Sequence, residues 1–182
     1  MINSVAINMN NWFFIYGPVR GGKTSKLIDF IHYCGRENIV VINHASDTRY
    51  GTNAVISHSR KKISARPMTD SELIQFAPGA VADCIFIDEI QFFSPDVIPA
   101  LKKFRGRIYF SGLDIDFRGD YFPISKKLLQ LVPTGNLARC LGICCCGSLA
   151  EFSAYIGKVS LETNILVSAD DFAPRCKLCF AN

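Results

Sequence analysis

At 182 residues, with 49% hydrophobic, 20% charged and 12% aromatic residues, the chain has the composition of a folded globular protein, which excludes disorder as a description of the whole. The length suits one full domain with a smaller appendage and excludes two large domains. A net charge of +4 permits an anionic ligand without making a strong nucleic-acid footprint.

Trp12–Tyr16, a short aromatic and β-branched run halted by Gly17-Pro18, predicts a buried strand entering a loop. From Lys23 onward Leu27, Ile28 and Ile31 recur at helical spacing until Gly35, a C-terminal stop. Ile39–Ile42 is the next expected strand. Residues 45–67 are polar and basic without a sustained period, and read as a long surface loop or a loose hairpin. Ser71–Phe76 reads as a short helix, and Cys84–Ile87 as a third apolar strand ending in Asp88 and Glu89. Ser94-Pro95 resembles a helix start with Val97, Ile98, Leu101 and Phe104 inward, although Pro99 would delay the start to near Ile98. Arg107–Ser111 is a fourth strand closing at Gly112. Alternating strands and helices predict an α/β fold, a mostly parallel sheet with helices on both faces. The pattern changes from Asn136, so residues 1–135 are expected to form the core and residues 136–182 a small metal-stapled appendage. No positive region precedes the first apolar stretch, and no run of about 18 apolar residues occurs. Neither a secretory signal nor a membrane span is therefore expected, and a cytoplasmic location is.

Gly17-Pro18-Val19-Arg20-Gly21-Gly22-Lys23-Thr24 satisfies G-x-x-x-x-G-K-[ST] between a predicted strand and a predicted helix, the context that such a loop requires. Glycines let backbone N–H groups turn toward phosphate oxygens, and the helix N-terminus adds partial positive charge. Lys23 would reach the β- and γ-phosphates, and the Thr24 hydroxyl would ligate Mg²⁺. Asp88-Glu89 should emerge at the C-terminal edge of the sheet, where the loop also opens. Asp88 is expected to hold Mg²⁺, leaving Glu89 free to accept a proton.

Of eight cysteines, six crowd into residues 140–179. In a reducing compartment such clustering favours a metal over disulfides. Cys176-x-x-Cys179 has the spacing for half of a four-cysteine zinc site.

The series Gly17–Thr24, Asp47-Thr48-Arg49-Tyr50, Asp88-Glu89-Ile90-Gln91-Phe92-Phe93, Gly112-Leu113-Asp114-Ile115-Asp116-Phe117-Arg118-Gly119 and Cys176-Lys177-Leu178-Cys179 resembles, in that order, the motifs of the cellular and bacterial type of thymidine kinase. The resemblance implies a RecA-like P-loop core, a zinc-bound lasso closing over the nucleoside, and transfer of the ATP γ-phosphate to the 5′-hydroxyl of thymidine. It makes Glu89 the general base, gives Asp88 and Thr24 to Mg²⁺, and adds Asp47, Thr48, Arg49 and Gln91 to the nucleotide site. Phe117 would pack near the nucleoside, and Thr163, Asn164, Ile165, Leu166 and Val167 would offer backbone groups to the base. Phe172 stands where the family has a base-contacting tyrosine. The family's other cysteine pair would be C-x-x-C followed by glycine, whereas this chain has Cys144-Cys145-Cys146-Gly147. The zinc set implied is Cys144, Cys146, Cys176 and Cys179, with Cys145 or Cys140 as possible substitutes. The resemblance also implies a homo-oligomer such as a tetramer.

Val19, Arg20, Ile90, Pro123 and Ser168 depart from the family pattern near the base and sugar, which leaves deoxyuridine or a wider pyrimidine range open. A rival reading is a P-loop ATPase or nucleotide switch with a zinc-bound interaction tail, and a third is a catalytically dead nucleotide-binding module. A nucleic-acid-binding tail would be basic, yet residues 140–182 hold only Lys158, Arg175 and Lys177 as cations. A dead module would be expected to lose Lys23, Thr24, Asp88 or Glu89, and all four are present.

Overall fold

A computed structural model describes residues 9–47, 54–56, 62–157 and 171–181. The apolar runs form strands Trp12–Tyr16 (β1), Ile39–His44 (β2), Cys84–Ile87 (β6) and Arg107–Gly112 (β7), separated by helices Lys23–Tyr33 (α1), Asp70–Phe76 (α2) and Ile98–Leu101 (α3). Two more strands join them: Arg66–Met68 (β5) and Leu137–Arg139 (β8). The six make one sheet, ordered β5-β2-β6-β7-β1-β8, with every pairing parallel. Strand β1, next to the edge strand β8, pairs only with segments far along the chain, Trp12 with Ile108 and Phe14 with Leu137.

Period-two alternation sorts the strand residues onto two apolar faces. Phe14, Ile42, Ile85, Ile87 and Phe110 pack with Leu73 of α2, Leu101 of α3 and Leu128 of a further helix, Pro123–Leu131 (α4). Ile15, Val41, Phe86 and Tyr109 face the other way, against Leu27, Ile28 and Ile31 of α1. Each fully buried aliphatic side chain of this kind contributes about 1.5–3 kcal/mol. Phe86, Tyr109 and Phe13, on adjacent strands, stack in a row with centroids 4.6 Å apart at each step. Helices thus cover both faces, and a sheet buried on both sides explains why its central strands read as unbroken apolar runs.

Local chemistry sets the helix limits. Thr69 and Glu72 form a reciprocal capping box at the start of α2. Ser94 accepts from the Asp96 N–H at 3.1 Å and starts a 3₁₀ turn, Pro95–Val97, which leads into α3. Pro99 therefore falls in the first turn of α3, where its missing N–H breaks no helical bond.

The structure differs from the sequence expectation in three elements. Within residues 45–67, Ala54–Ile56 (β3) and Lys62–Ser64 (β4) pair antiparallel, which is the hairpin alternative of the sequence reading, and the unexpected element is β5, which follows them onto the edge of the sheet. Pro67 is tolerated there because an edge strand need not donate on its free side. Helix α4 had no place in the expected series. Strand β8 lies beyond residue 135, so the central sheet continues to Arg139. The tail then folds into two small antiparallel pairs, Gly142–Ile143 (β9) with Leu149–Ala150 (β10), and Phe152–Tyr155 (β11) with Phe172–Arg175 (β12), followed by the short helix Lys177–Phe180 (α5). Among the described residues, no helix is long and apolar enough to cross a membrane.

Candidate active site at the C-terminal edge of the sheet

Parallel strands bring their C-terminal ends to one edge, and the order β6-β7-β1 makes the segments after them neighbours. The glycine-rich loop leaves β1 under tight constraint. Gly17 has φ +138°, and a Cβ there would stand 2.0 Å from the Cys140 carbonyl oxygen. Cys140 is held in place by its own N–H, which donates to the Tyr16 carbonyl at 2.7 Å. Arg20 takes a left-handed conformation, φ 56°, which is costly for a side chain with a Cβ. Gly22, φ 84°, caps α1. Lys23 Nζ donates to the Pro18 carbonyl at 2.7 Å, folding the buried ammonium back onto its own loop. Burial pushes the Lys23 pKa down, opposed by the charges of Glu89, Asp88 and Asp114. Thr24 follows in the first turn of α1, and Asp47 lies just past β2, its N–H donating to the His44 carbonyl at 2.9 Å.

Beyond β6, Glu89 is also left-handed, φ 51°. Gln91 donates through Nε2 to Glu89 and accepts the Leu113 N–H at 3.0 Å, so it braces the carboxylate against the end of β7. Gly112 makes the brace possible, since a Cβ would lie 2.5 Å from Gln91 Oε1. Asp88 is 5% exposed, with Oδ1 lacking a hydrogen-bond partner. Burial, then the charge of Glu89, raises its pKa to about 7. Asp114 also has a buried, unpartnered Oδ1, and burial raises its pKa as well. Two buried carboxyls with spare oxygens beside a lysine form a cleft deficient in positive charge. An oxygen-seeking cation would fit it.

An aromatic group joins this edge to the tail. Phe117 projects from a turn fixed by Asp116, whose Oδ1 accepts from the N–H groups of Arg118 and Asp120 at 2.9 Å each. Its ring centroid lies 6.1 Å from Phe172 and 6.2 Å from Tyr155, and these last two meet edge-on at 5.5 Å. Arg118 covers the Phe117 ring at 5.0 Å.

In the tail the sulfurs of Cys144, Cys146, Cys176 and Cys179 all lie within 4.8 Å of one another. A tetrahedral Zn²⁺ with bonds near 2.3 Å spaces its sulfurs at about 3.8 Å, so these four could hold one ion. The C-x-C half works because the chain turns tightly. Cys144 N–H donates to Ser148 O, and Gly147 N–H to Cys144 O, each at 2.9 Å, with Gly147 at φ 84°. Backbone N–H groups of Cys146 and Cys176 draw the Cys144 pKa down to about 6, which favours a thiolate. Hydrogen bonding to the sulfurs of Cys144, Cys146 and Cys176 pushes the Cys179 pKa up. Cys145 is exposed and outside the group, and Cys140 lies against the phosphate loop.

A family model for thymidine kinase matches residues 11–180. This chain belongs to the thymidine kinase family. It is 32% identical over 151 residues to a thymidine kinase of Coprothermobacter proteolyticus, covering 79% of this chain and 75% of that one. It is 29% identical over 172 residues to a thymidine kinase of Bacteroides thetaiotaomicron, covering 91% and 84%. Among solved structures, that of Bacteroides Pif1 bound to ssDNA aligns at TM-score 0.36 and 17% identity, covering 71% of this chain and 36% of that chain.

Of the residues that the thymidine kinase resemblance singles out, Lys23, Asp88 and Glu89 meet at one edge, with Gln91 bracing Glu89. Phe117 and Phe172 come together although they lie on opposite sides of the core–tail junction. Thr48, Arg49 and Thr163–Val167 lie outside the described residues. Asp114, Tyr155 and Ser153, whose Oγ accepts the Val19 N–H at 3.0 Å, are also built into the site and carry no assignment from sequence. Tyr155 is signalled only by its cross-strand pairing with Phe172.

Proposed function

We propose that this chain transfers the γ-phosphate of ATP to the 5′-hydroxyl of thymidine, giving dTMP and ADP. The observation that carries the reading is Glu89, braced by Gln91 at the same sheet edge as buried Lys23 and the phosphate loop. A sugar hydroxyl is a weak acid, and a carboxylate about 3 Å away can orient it and take its proton. The phosphate loop amides and Lys23 would neutralise and align the phosphates, and positioning of this kind supplies most of the catalysis in phosphoryl transfer. On binding ATP, the Lys23 ammonium would exchange the Pro18 carbonyl for phosphate oxygens.

Asp88, through its unpartnered Oδ1, and the Thr24 hydroxyl would hold Mg²⁺. That ion would supply charge neutralisation between the phosphates. Phe117 and Phe172, with Tyr155, would wall the nucleoside, and closure of the tail would keep water from the γ-phosphate. In this reading the residues up to Arg139, the last of the central sheet, are the ATP-using core, those after it are a lid stapled by Zn²⁺, and the protein works in the cytoplasm as a homo-oligomer such as a tetramer.

The test is purified protein with γ-labelled ATP, Mg²⁺ and a panel of nucleosides that includes thymidine and deoxyuridine. Label is expected in thymidine monophosphate. Label appearing only in free phosphate would leave an ATPase in its place. Glu89→Gln should bind ATP as before while slowing transfer by about 10²–10⁴-fold, and an unchanged rate would remove Glu89 from the base role.

A further inference from the structure

We infer that Ser153 is a positioning residue for the phosphate loop, holding the loop backbone at Val19 from the tail side. The Val19 N–H donates to Ser153 Oγ at 3.0 Å, across 134 residues of chain. Ser153 is 2% exposed, so this bond is shielded from water. Strand alternation puts Ser153 and Tyr155 on one face of β11 and Phe152 on the other. Tyr155 reaches the Phe117 turn, whereas Phe152 stacks on Phe180 of α5 with centroids 4.6 Å apart. One face of β11 therefore grips the core and the other grips the cysteine-bearing end of the tail.

The bond falls where the loop most needs support. The next residue, Arg20, is left-handed, and such a residue persists only where its surroundings over-determine it. On its far side Gly21 N–H donates to the Pro18 carbonyl at 3.2 Å. On its near side the tether is Ser153, which belongs to neither the core sheet nor the loop. Without that hydroxyl the Val19 amide loses its partner, and the Pro18–Val19 peptide, whose carbonyl accepts from Gly21 N–H and Lys23 Nζ, is free to turn and to let Arg20 relax toward an ordinary conformation. The amides that follow it would then lose their alignment. The inference rests on the reading of Gly17–Thr24 as the ATP phosphate site, and it extends that reading to a residue of the tail.

The experiment compares the full chain with Ser153→Ala and Ser153→Thr. It measures ATP–Mg²⁺ and thymidine affinity by titration, backbone hydrogen exchange over residues 17–24 without ligand, and melting temperature. Ser153→Ala should weaken ATP binding about tenfold, the worth of one hydrogen bond, and speed exchange at residues 19–21 relative to the rest of the core. Ser153→Thr, which keeps the hydroxyl, should restore both. Unchanged ATP affinity and loop exchange in Ser153→Ala overturns the inference. So does a loss of overall stability that leaves loop exchange in step with the core, since that is the mark of packing alone, and so does a threonine variant as impaired as the alanine one. If the unaltered protein binds no ATP, the functional reading fails instead, and ligand-free exchange still decides whether Ser153 orders the loop.

Discussion

Asp88 sits where its proton is favoured, and this ties the stability of the metal-free protein to pH. Its pKa rises from an ordinary 3.8 to about 7 on folding, chiefly through burial. Between those values the folded chain retains a proton that the unfolded chain has released. The contribution of Asp88 to stability therefore falls as pH rises from about 4 to about 7 and levels off above that. Asparagine mimics the protonated acid and cannot ionise. The melting temperature of Asp88→Asn minus that of the parent should be near zero at about pH 4 and should grow to a plateau above about pH 7. A difference independent of pH would show Asp88 already ionised in the fold. Residues of this sort were legible in the sequence where a contiguous pattern carries the chemistry, as in Gly17–Thr24 and Asp88-Glu89. Ser153, Tyr155 and Asp114 were not, because their roles come from burial and from strand pairing, which no local pattern records.

At the scale of elements, the turn out of β1 depends on the close approach of β8 and the residue after it. Gly17→Ala would drive a methyl group into the Cys140 carbonyl and force a φ that L-residues rarely adopt. The overpacking and the strain together should destabilise the fold by about 2–5 kcal/mol in chemical denaturation and abolish ATP binding. A variant of parental stability would mean that Cys140 can retreat without cost. Strands β1 and β6 were readable to the residue because a parallel strand buried on both faces leaves an unbroken apolar run between turn signals. Strands β5 and β8 have three residues each, too few to show a period, and β8 is recognisable only through its partner. Helix α4 has only Ile124, Ser125 and Leu128 buried, too sparse a stripe to stand out in nine residues. In Cys144–Cys146 the spacing alone could not choose the ligands. The Gly147 turn does so by aiming the first and third sulfurs at one centre.

The whole molecule is unequal in how its two parts are held. The core has two extensive apolar clusters, one on each face of the sheet, whereas among the described residues the tail's own cluster is Cys144, Ala150 and Cys176 with Cys179 beside them. Three of those four are thiols, so burial adds little, and a structural metal would supply the missing stability. Removing zinc with a strong chelator should open residues 142–157 and 171–180 to hydrogen exchange while the sheet strands stay protected. Adding Zn²⁺ back should reverse this. Protection unchanged by chelation, with four titratable thiols in the cluster, would rule out a metal staple.

The pairing of β1 with Ile108 and Leu137 rather than with its neighbours in sequence bears on how the molecule is made. During synthesis the first strand emerges long before either of its partners. Closing loops of that length is entropically slow, as is usual for parallel sheets dominated by distant contacts. The glycine-rich loop cannot reach the conformation it has in the fold until Cys140 and Ser153 arrive behind it. Catalytic competence is thus among the last properties the nascent chain acquires, and a chain truncated before the tail would carry the full phosphate motif without the surfaces that shape it.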